Sequence, residues 1–162
     1  IADWIDFTLL EKLIRGLPDH EFLLVGSNTA HDNVNYLKKI LRNKNVQHLG
    51  QVPYNKLAEI YRRCSIGIVP YNRQNLHIQY STPTKIVDYL FAGLKVVSTN
   101  FSNATSFGPL VKVAKNHEEF INYVADDWSP DDKYLRARLE FGQQSTWDER
   151  FKEFLDQIEF EN

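Results

Sequence analysis

Four short runs, EFLLVG, VQHLG, SIGIVPY and KVVST, constrain the fold of this chain more than any other feature of it. Each is a handful of residues long, mostly apolar, and bounded by glycine, proline or polar residues. A strand with one wet face alternates apolar and polar side chains, whereas a strand covered on both faces is free to be apolar throughout. Glu21 to Gly26, Val46 to Gly50, Ser65 to Tyr71 and Lys95 to Thr99 are therefore expected as buried parallel strands. Pro70 has to fall at the end of its strand because it has no N–H for the ladder. Leu110 to Ala114 is a candidate fifth strand.

Helical periods fill the intervals. After Asp6, a residue suited to an N-cap, the positions Leu10, Leu13, Ile14 and Leu17 recur at helical spacing until the Gly16 to Pro18 breaker. A second helix places Val34, Leu37 and Leu41 inward, and Asn55 is expected to cap a third that carries Leu57, Ile60, Tyr61 and Cys64 on one stripe. Pro83 to Ala92 reads as a fourth helix, closed by Gly93. From Asn116 onward two or three helices are expected, with apolar positions that include Phe120, Tyr123, Val124, Leu135, Leu139, Phe151, Phe154, Leu155 and Ile158. Strands alternating with helices through short connections predict an α/β doubly wound parallel sheet, Rossmann-like, with helices on both faces and a helical C-terminal tail. Without repeats or an internal linker, residues 1–162 are read as a single domain.

Composition narrows the functions. A length of 162 residues, 43% of them hydrophobic and 25% charged, is enough to bury one core. The formal net charge of -2 gives no basic field that would draw nucleic acid or anionic lipid. The single cysteine, Cys64, excludes an intrachain disulfide, fits a reducing compartment and is read as a core residue. No apolar run approaches the ~20 residues needed to cross a bilayer, and the acidic start lacks the basic opening of a signal peptide. The expected location is cytoplasmic. Methionine is absent and the chain opens at Ile1 directly before a helical pattern, so it is expected to be a piece of a longer protein. Trp4, Trp128 and Trp147 sit at helix starts or turns, where packing rather than a stacking platform is the expected role.

Open parallel sheets bind ligands beyond the carboxyl ends of their strands. The longest polar loop of that kind runs from Tyr71 to Thr82 and feeds a well-marked helix start, with Thr82 as N-cap and Pro83 at the first helical position. Lys85 in the first turn opposes the positive end of the helix dipole. A bound anion would resolve that conflict, and phosphate fits, held by backbone N–H groups, the Thr84 and Ser81 hydroxyls and the Lys85 ammonium. Asp88, three residues later, is expected on the same face, where its carboxylate can accept hydrogen bonds from a ribose diol. Together these residues match a nucleoside diphosphate; a weak surface ion pair between Lys85 and Asp88 accounts for the same spacing equally well.

At these residues the sequence resembles the C-terminal donor domain of GT-B glycosyltransferases, of the bacterial capsule, exopolysaccharide and teichuronic-acid type. The resemblance is collinear through IADWIDFTLLEKLIRGLPDHEFLLVG, VQHLGQVPYNKLAEIYRRCSIGIVPY, TPTKIVDYLFAGLKVVST and the Trp147 to Phe154 segment. It implies that Asp88 binds the donor ribose, that Lys85 faces the diphosphate, that Gly50, Gln51 and Val52 border the nucleobase, and that Tyr71 and Ser81 line the sugar or phosphate side. It also implies a first central strand before Ile1 and an acceptor domain further upstream, with membrane contact only through those parts. The implied substrate is a nucleoside diphosphate sugar, UDP-sugar first, and the implied acceptor a polysaccharide or a lipid-linked chain. No cofactor or metal is implied, and no catalytic base can be assigned. Two departures stand out: relatives carry two glutamates eight positions apart, but the first position falls on Tyr80, and the usual Arg and Lys near the first strand are not evident.

Other readings are weaker. His20, His31, His48, His77 and His117 have no ligand spacing, and only His77, in the polar loop, is placed to touch a phosphate or sugar. Asp126-Asp127 and Asp131-Asp132 are adjacent residues at helix ends, read as caps and solvated charge. Hydrolase, NTPase and dinucleotide-binding loops are missing. A noncatalytic doubly wound module using the same edge for another anion or a protein partner is the main alternative, and a sugar-nucleotide epimerase ranks third.

Overall fold

The computed structural model describes residues 1–29, 33–75, 78, 84–101, 104–126, 129 and 131–144. They fall in two compact units, Ile1–Asp127 and Trp128–Asn162. The first carries five strands: β1 (Phe22–Val25), β2 (Val46–Gly50), β3 (Ile66–Val69), β4 (Lys95–Thr99) and β5 (Val111–Ala114). Its helices are α1 (Phe7–Gly16), α2 (Val34–Ile40), α3 (Leu57–Tyr61), α4 (Thr84–Phe91) and α5 (His117–Ala125), with 3-10 turns at Tyr54–Lys56 and Ala104–Leu110. The second unit carries α6 (Asp132–Gln144), and Asp131 caps it by accepting the Tyr134 N–H at 2.7 Å.

Every ladder among the described residues is parallel, as the apolar runs predict. The strands form two sheets rather than one, β1-β2 and β3-β4-β5. A groove of about 450 Å³ separates the edges of β1 and β3 and is lined by Leu23, Leu24, Ile66 and Ile68. Residues Ile1 to Asp6 cross its end as a backbone bridge. Thr29 N donates to Ile1 O at 2.8 Å on the β1 side, and Asp6 N donates to Pro70 O at 2.8 Å on the β3 side.

The strand period of two sorts the helices onto both faces. Ile66, Ile68 and Val97 join one cluster with Phe7, Leu9, Leu10, Leu13 and Ile14 of α1, Leu37 and Ile40 of α2, and Phe120 and Val124 of α5. Gly67 points the other way and meets the ring of Tyr89 on α4. The doubly wound arrangement follows from that alternation. Asp6 caps α1 as expected, accepting the Leu9 N–H at 2.8 Å. Asn116 does the same for α5, accepting the Glu119 N–H at 2.9 Å. At the end of α4, Gly93 N donates to Leu90 O and Leu94 N to Tyr89 O, with Gly93 at φ 85°, a paired closure that an L side chain would strain.

Four local expectations are corrected. The inward residues of α2 are Leu37 and Ile40, while Val34 and Leu41 are 36% and 37% exposed; Leu41 is the C-cap, turned off the apolar stripe. Asn55 does not cap α3. Pro53 starts a tighter turn in which Lys56 N donates to Pro53 O at 2.9 Å, and Lys56 takes the cap position without a side-chain bond. Cys64 is only half-buried, with its thiol directed to Ile60 O, and burial pushes its pKa up. Trp4 is 41% exposed and so lies at the surface instead of in the core, because the Ile1 to Asp6 crossing runs over the sheet's end. Trp128 and Trp147 lie outside the described residues.

Candidate functional site

Of the expected residues that are described, Gly50 ends β2, Tyr71 follows β3, and Thr84, Lys85 and Asp88 stand on α4 between β3 and β4. Gly50 closes β2 with φ 65°, and its carbonyl accepts the Gly26 N–H at 2.7 Å, which fixes the exit toward exposed Gln51 and half-buried Val52. Tyr71 follows β3 and is buried. Thr99, at the end of β4, holds it through both backbone groups: Tyr71 N donates to Thr99 Oγ1 at 3.1 Å, and that hydroxyl donates to Tyr71 O at 2.9 Å. The start of the polar loop is thereby tied to the neighbouring strand.

Helix α4 opens with exposed Thr84. One residue on, Lys85 Nζ stands 4.9 Å from the centre of the Tyr71 ring, a cation–π contact worth about 0.5–2 kcal/mol. Ser81 and His77, with Thr82 and Pro83, lie outside the described residues. Asp88 is also half-buried and accepts the Tyr54 hydroxyl at 3.2 Å. Among the ion pairs of the described residues none joins Lys85 to Asp88, so the weak surface pair that the spacing equally allowed is not formed. The two side chains enter neighbouring spaces: Lys85 lines the groove between β1 and β3, and Asp88 lines a cleft of about 460 Å³ between α3 and α4 with Tyr54, Tyr61 and Arg62.

Sequence reasoning missed Tyr54. An exposed aromatic after Pro53 gives no local signal of its contact with a carboxylate thirty-four residues away. Tyr54 and Tyr61 line the cleft with Asp88, and Tyr61 meets the Tyr89 ring edge to face at 5.5 Å and 85°. Burial first and the Asp88 charge second push the Tyr61 phenol up to about 12. Burial pushes the Tyr89 phenol up as well, and the Asp88 charge raises that of Tyr54. A neutral form stabilised on folding gives stability that is complete below the unfolded value of about 10 and is lost as pH rises through the folded value. The chain is therefore expected to lose stability as pH rises from about 10 toward 12, through Tyr61 in particular. Absorbance at the tyrosinate band checks this: Tyr61 should ionise well above the ordinary tyrosine range, and the Asp88→Asn variant should bring it forward.

A second unforeseen contact joins Asp6 to His117, whose Nε2 lies 2.8 Å from Asp6 Oδ2 across 111 residues of sequence. The other histidine with a described side-chain bond, His48, reaches Gly26 O at 2.9 Å and is structural.

A doubly wound α/β domain, with a lysine and a carboxylate presented by one helix beside the carboxyl ends of parallel strands, belongs to the class built to hold ligands at that edge. The particular family is settled by comparison: residues 7–126 match the profile of glycosyl transferases group 1, and the chain belongs to that family. It is 25% identical over 157 residues, 93% of its length, to a protein of Bacillus subtilis (strain 168) described as "Putative teichuronic acid biosynthesis glycosyltransferase TuaH". The chain spans 39% of the length of that relative.

Proposed function

We propose that this chain is the donor-binding half of a glycosyltransferase that moves a sugar from a nucleoside diphosphate sugar, UDP-sugar first, to a polysaccharide or lipid-linked acceptor. The observation that carries the reading is helix α4, which sets Lys85 against Tyr71 at the end of β3 and Asp88 against Tyr54 from the turn after β2. In this reading the pyrophosphate lies at Lys85, the ribose diol replaces the Tyr54 hydroxyl on Asp88, and the nucleobase borders Gly50, Gln51 and Val52. Family membership supports it, as does the relative's printed role in teichuronic acid biosynthesis.

The groove between β1 and β3 supports the architectural half of the proposal. It is lined by strand residues from both sides and is crossed at one end by Ile1 to Asp6. A central strand preceding Ile1 would pair with both edges and merge the two sheets, with an acceptor domain further upstream. The groups that activate the acceptor belong to that other domain, and Lys85 and Asp88 act by binding and orienting the donor. Among the described residues no helix is long and apolar enough to cross a membrane; the proposed place of action is the cytoplasm, peripheral at the membrane face for a lipid-linked acceptor.

Titration calorimetry of the chain with UDP and GDP tests this. UDP is expected to bind, with Lys85→Ala and Asp88→Ala each weakening it about tenfold or more, the worth of one charge-assisted hydrogen bond. Absence of heat from either nucleotide, or indifference to both substitutions, would leave the domain a noncatalytic module of the same fold.

A further inference from the structure

Residues Ala2 to Ile5 make a tight turn beyond the carboxyl ends of β1 and β3, closed by Ile5 N, which donates to Ala2 O at 3.1 Å. Asp3 and Trp4 are its corner residues. Small and polar side chains favour such corners, because they tolerate water and bond nearby groups. Asp3 conforms, and its Oδ1 accepts the Asn33 Nδ2 donor at 2.9 Å. Trp4 does not. The bulkiest of apolar side chains stands at a turn corner with 41% of its surface exposed. Among the described residues its ring meets no other ring and its indole N–H has no acceptor. A residue that breaks a local rule without a packing gain is where function is expected.

The turn is a fixed mount. Thr29 N donates to Ile1 O at 2.8 Å on one side of it, and on the other Asp6 N donates to Pro70 O and Asn72 N to Trp4 O, each at 2.8 Å. Asp6 then caps α1. An aromatic side chain on a backbone already held in place loses little freedom when a ligand covers it. Its position matters as much as its rigidity. Asn72, bonded to the Trp4 carbonyl, follows Tyr71, whose ring centre lies 4.9 Å from Lys85 Nζ. Ile5 lines the groove together with Tyr71 and Lys85. Trp4 therefore stands directly beside the proposed pyrophosphate seat, on the sheet edge where ligands bind.

We infer that Trp4 is a stacking platform for the sugar that the pyrophosphate carries, and that it contributes affinity for the sugar and not for the nucleotide. A pyranose ring has a face of C–H groups and a rim of hydroxyls. An exposed indole offers a matching apolar face and one N–H donor at its edge, and stacking the two removes both faces from water. The inference rests on the donor reading, because Lys85 is what brings the sugar to this edge.

Calorimetry of the chain with UDP, UDP-glucose, UDP-galactose and UDP-N-acetylglucosamine tests it. Trp4→Ala is expected to weaken the tightest of the sugar nucleotides about tenfold, the worth of one aromatic stacking face, and to change UDP by less than about twofold. Trp4→Phe keeps a ring and should retain most of the sugar's contribution. A second readout is taken on the unsubstituted chain. Its Trp4 Nε1–H resonance, assigned by its loss in Trp4→Phe, should move with the sugar nucleotide and stay in place with UDP. Equal weakening of UDP and the sugar nucleotide by Trp4→Ala, or weakening of neither, overturns the inference. An indole resonance that moves alike with both ligands overturns it too. If UDP itself gives no heat, the donor reading falls and takes this inference with it; if UDP binds and Trp4 is indifferent to the sugar, only this inference falls.

Discussion

Phe120→Ala is expected to remove about 3–5 kcal/mol of folding stability, the usual result of emptying a fully buried aromatic position. Phe120 is 0% exposed on α5 and belongs to one cluster with Leu9, Leu10, Leu13 and Ile14 of α1 and with Val97 and Ala114 of the sheet. Its neighbours are themselves buried and anchored on three different elements, so they cannot collapse far into the vacated volume. The loss then includes the transfer free energy of the ring and the cavity left behind. Domains of this size hold a total of only about 5–15 kcal/mol, so the variant should lose a large share of its stability. A urea melt checks it: the midpoint should fall steeply with an unchanged slope. A loss below about 1 kcal/mol would mean that α5 does not pack on α1 as described.

That same cluster shows what the sequence could and could not reveal. Every strand was legible to within a residue or two at each end, because wholly apolar runs bounded by glycine, proline or polar residues leave little choice of structure. Helix α1 was legible with its cap, since Asp6 and the leucine period are both local signals. Expectations failed where a neighbour in sequence set the geometry through the backbone. Pro53 replaced an Asn55 cap with a tighter turn, and the end of α2 rotated Leu41 out of the stripe that Ile40 completes. The candidate site divides along the same line. Helix-start chemistry singles out Lys85 and Asp88, and the structure sets Lys85 against Tyr71 after β3 and Asp88 against Tyr54 in the cleft between α3 and α4. Their direction into two different spaces was not legible, because it depends on which element covers each side of the helix. Tyr54 and the Asp6–His117 contact were invisible for a related reason: both join segments far apart in sequence, and no residue type or spacing announces such a meeting. The split of the strands into two sheets was equally hidden, since parallel runs specify direction and burial without specifying the neighbour.

Gly67→Ala is expected to cost about 1–3 kcal/mol, the range for forcing a methyl group into a filled core. β3 passes so close to α4 that a Cβ at this position would overlap Cγ and Cδ2 of the Tyr89 ring. Those atoms sit next to the helix backbone and cannot swing aside as a flexible side-chain tip would. Tyr61, edge to face with the same ring at 5.5 Å, blocks one direction of retreat. Relief therefore requires α4 itself to move off the sheet. Because α4 carries Lys85 and Asp88, the substitution should weaken UDP as well as stability. A double-mutant cycle isolates the cause. In the Tyr89→Ala background the added methyl group should be nearly neutral, within about 0.5 kcal/mol, since the partner it strikes is gone. If Gly67→Ala costs the same in both backgrounds, the strain arises from the strand and not from the helix, and the close approach of β3 to α4 is not what positions the site.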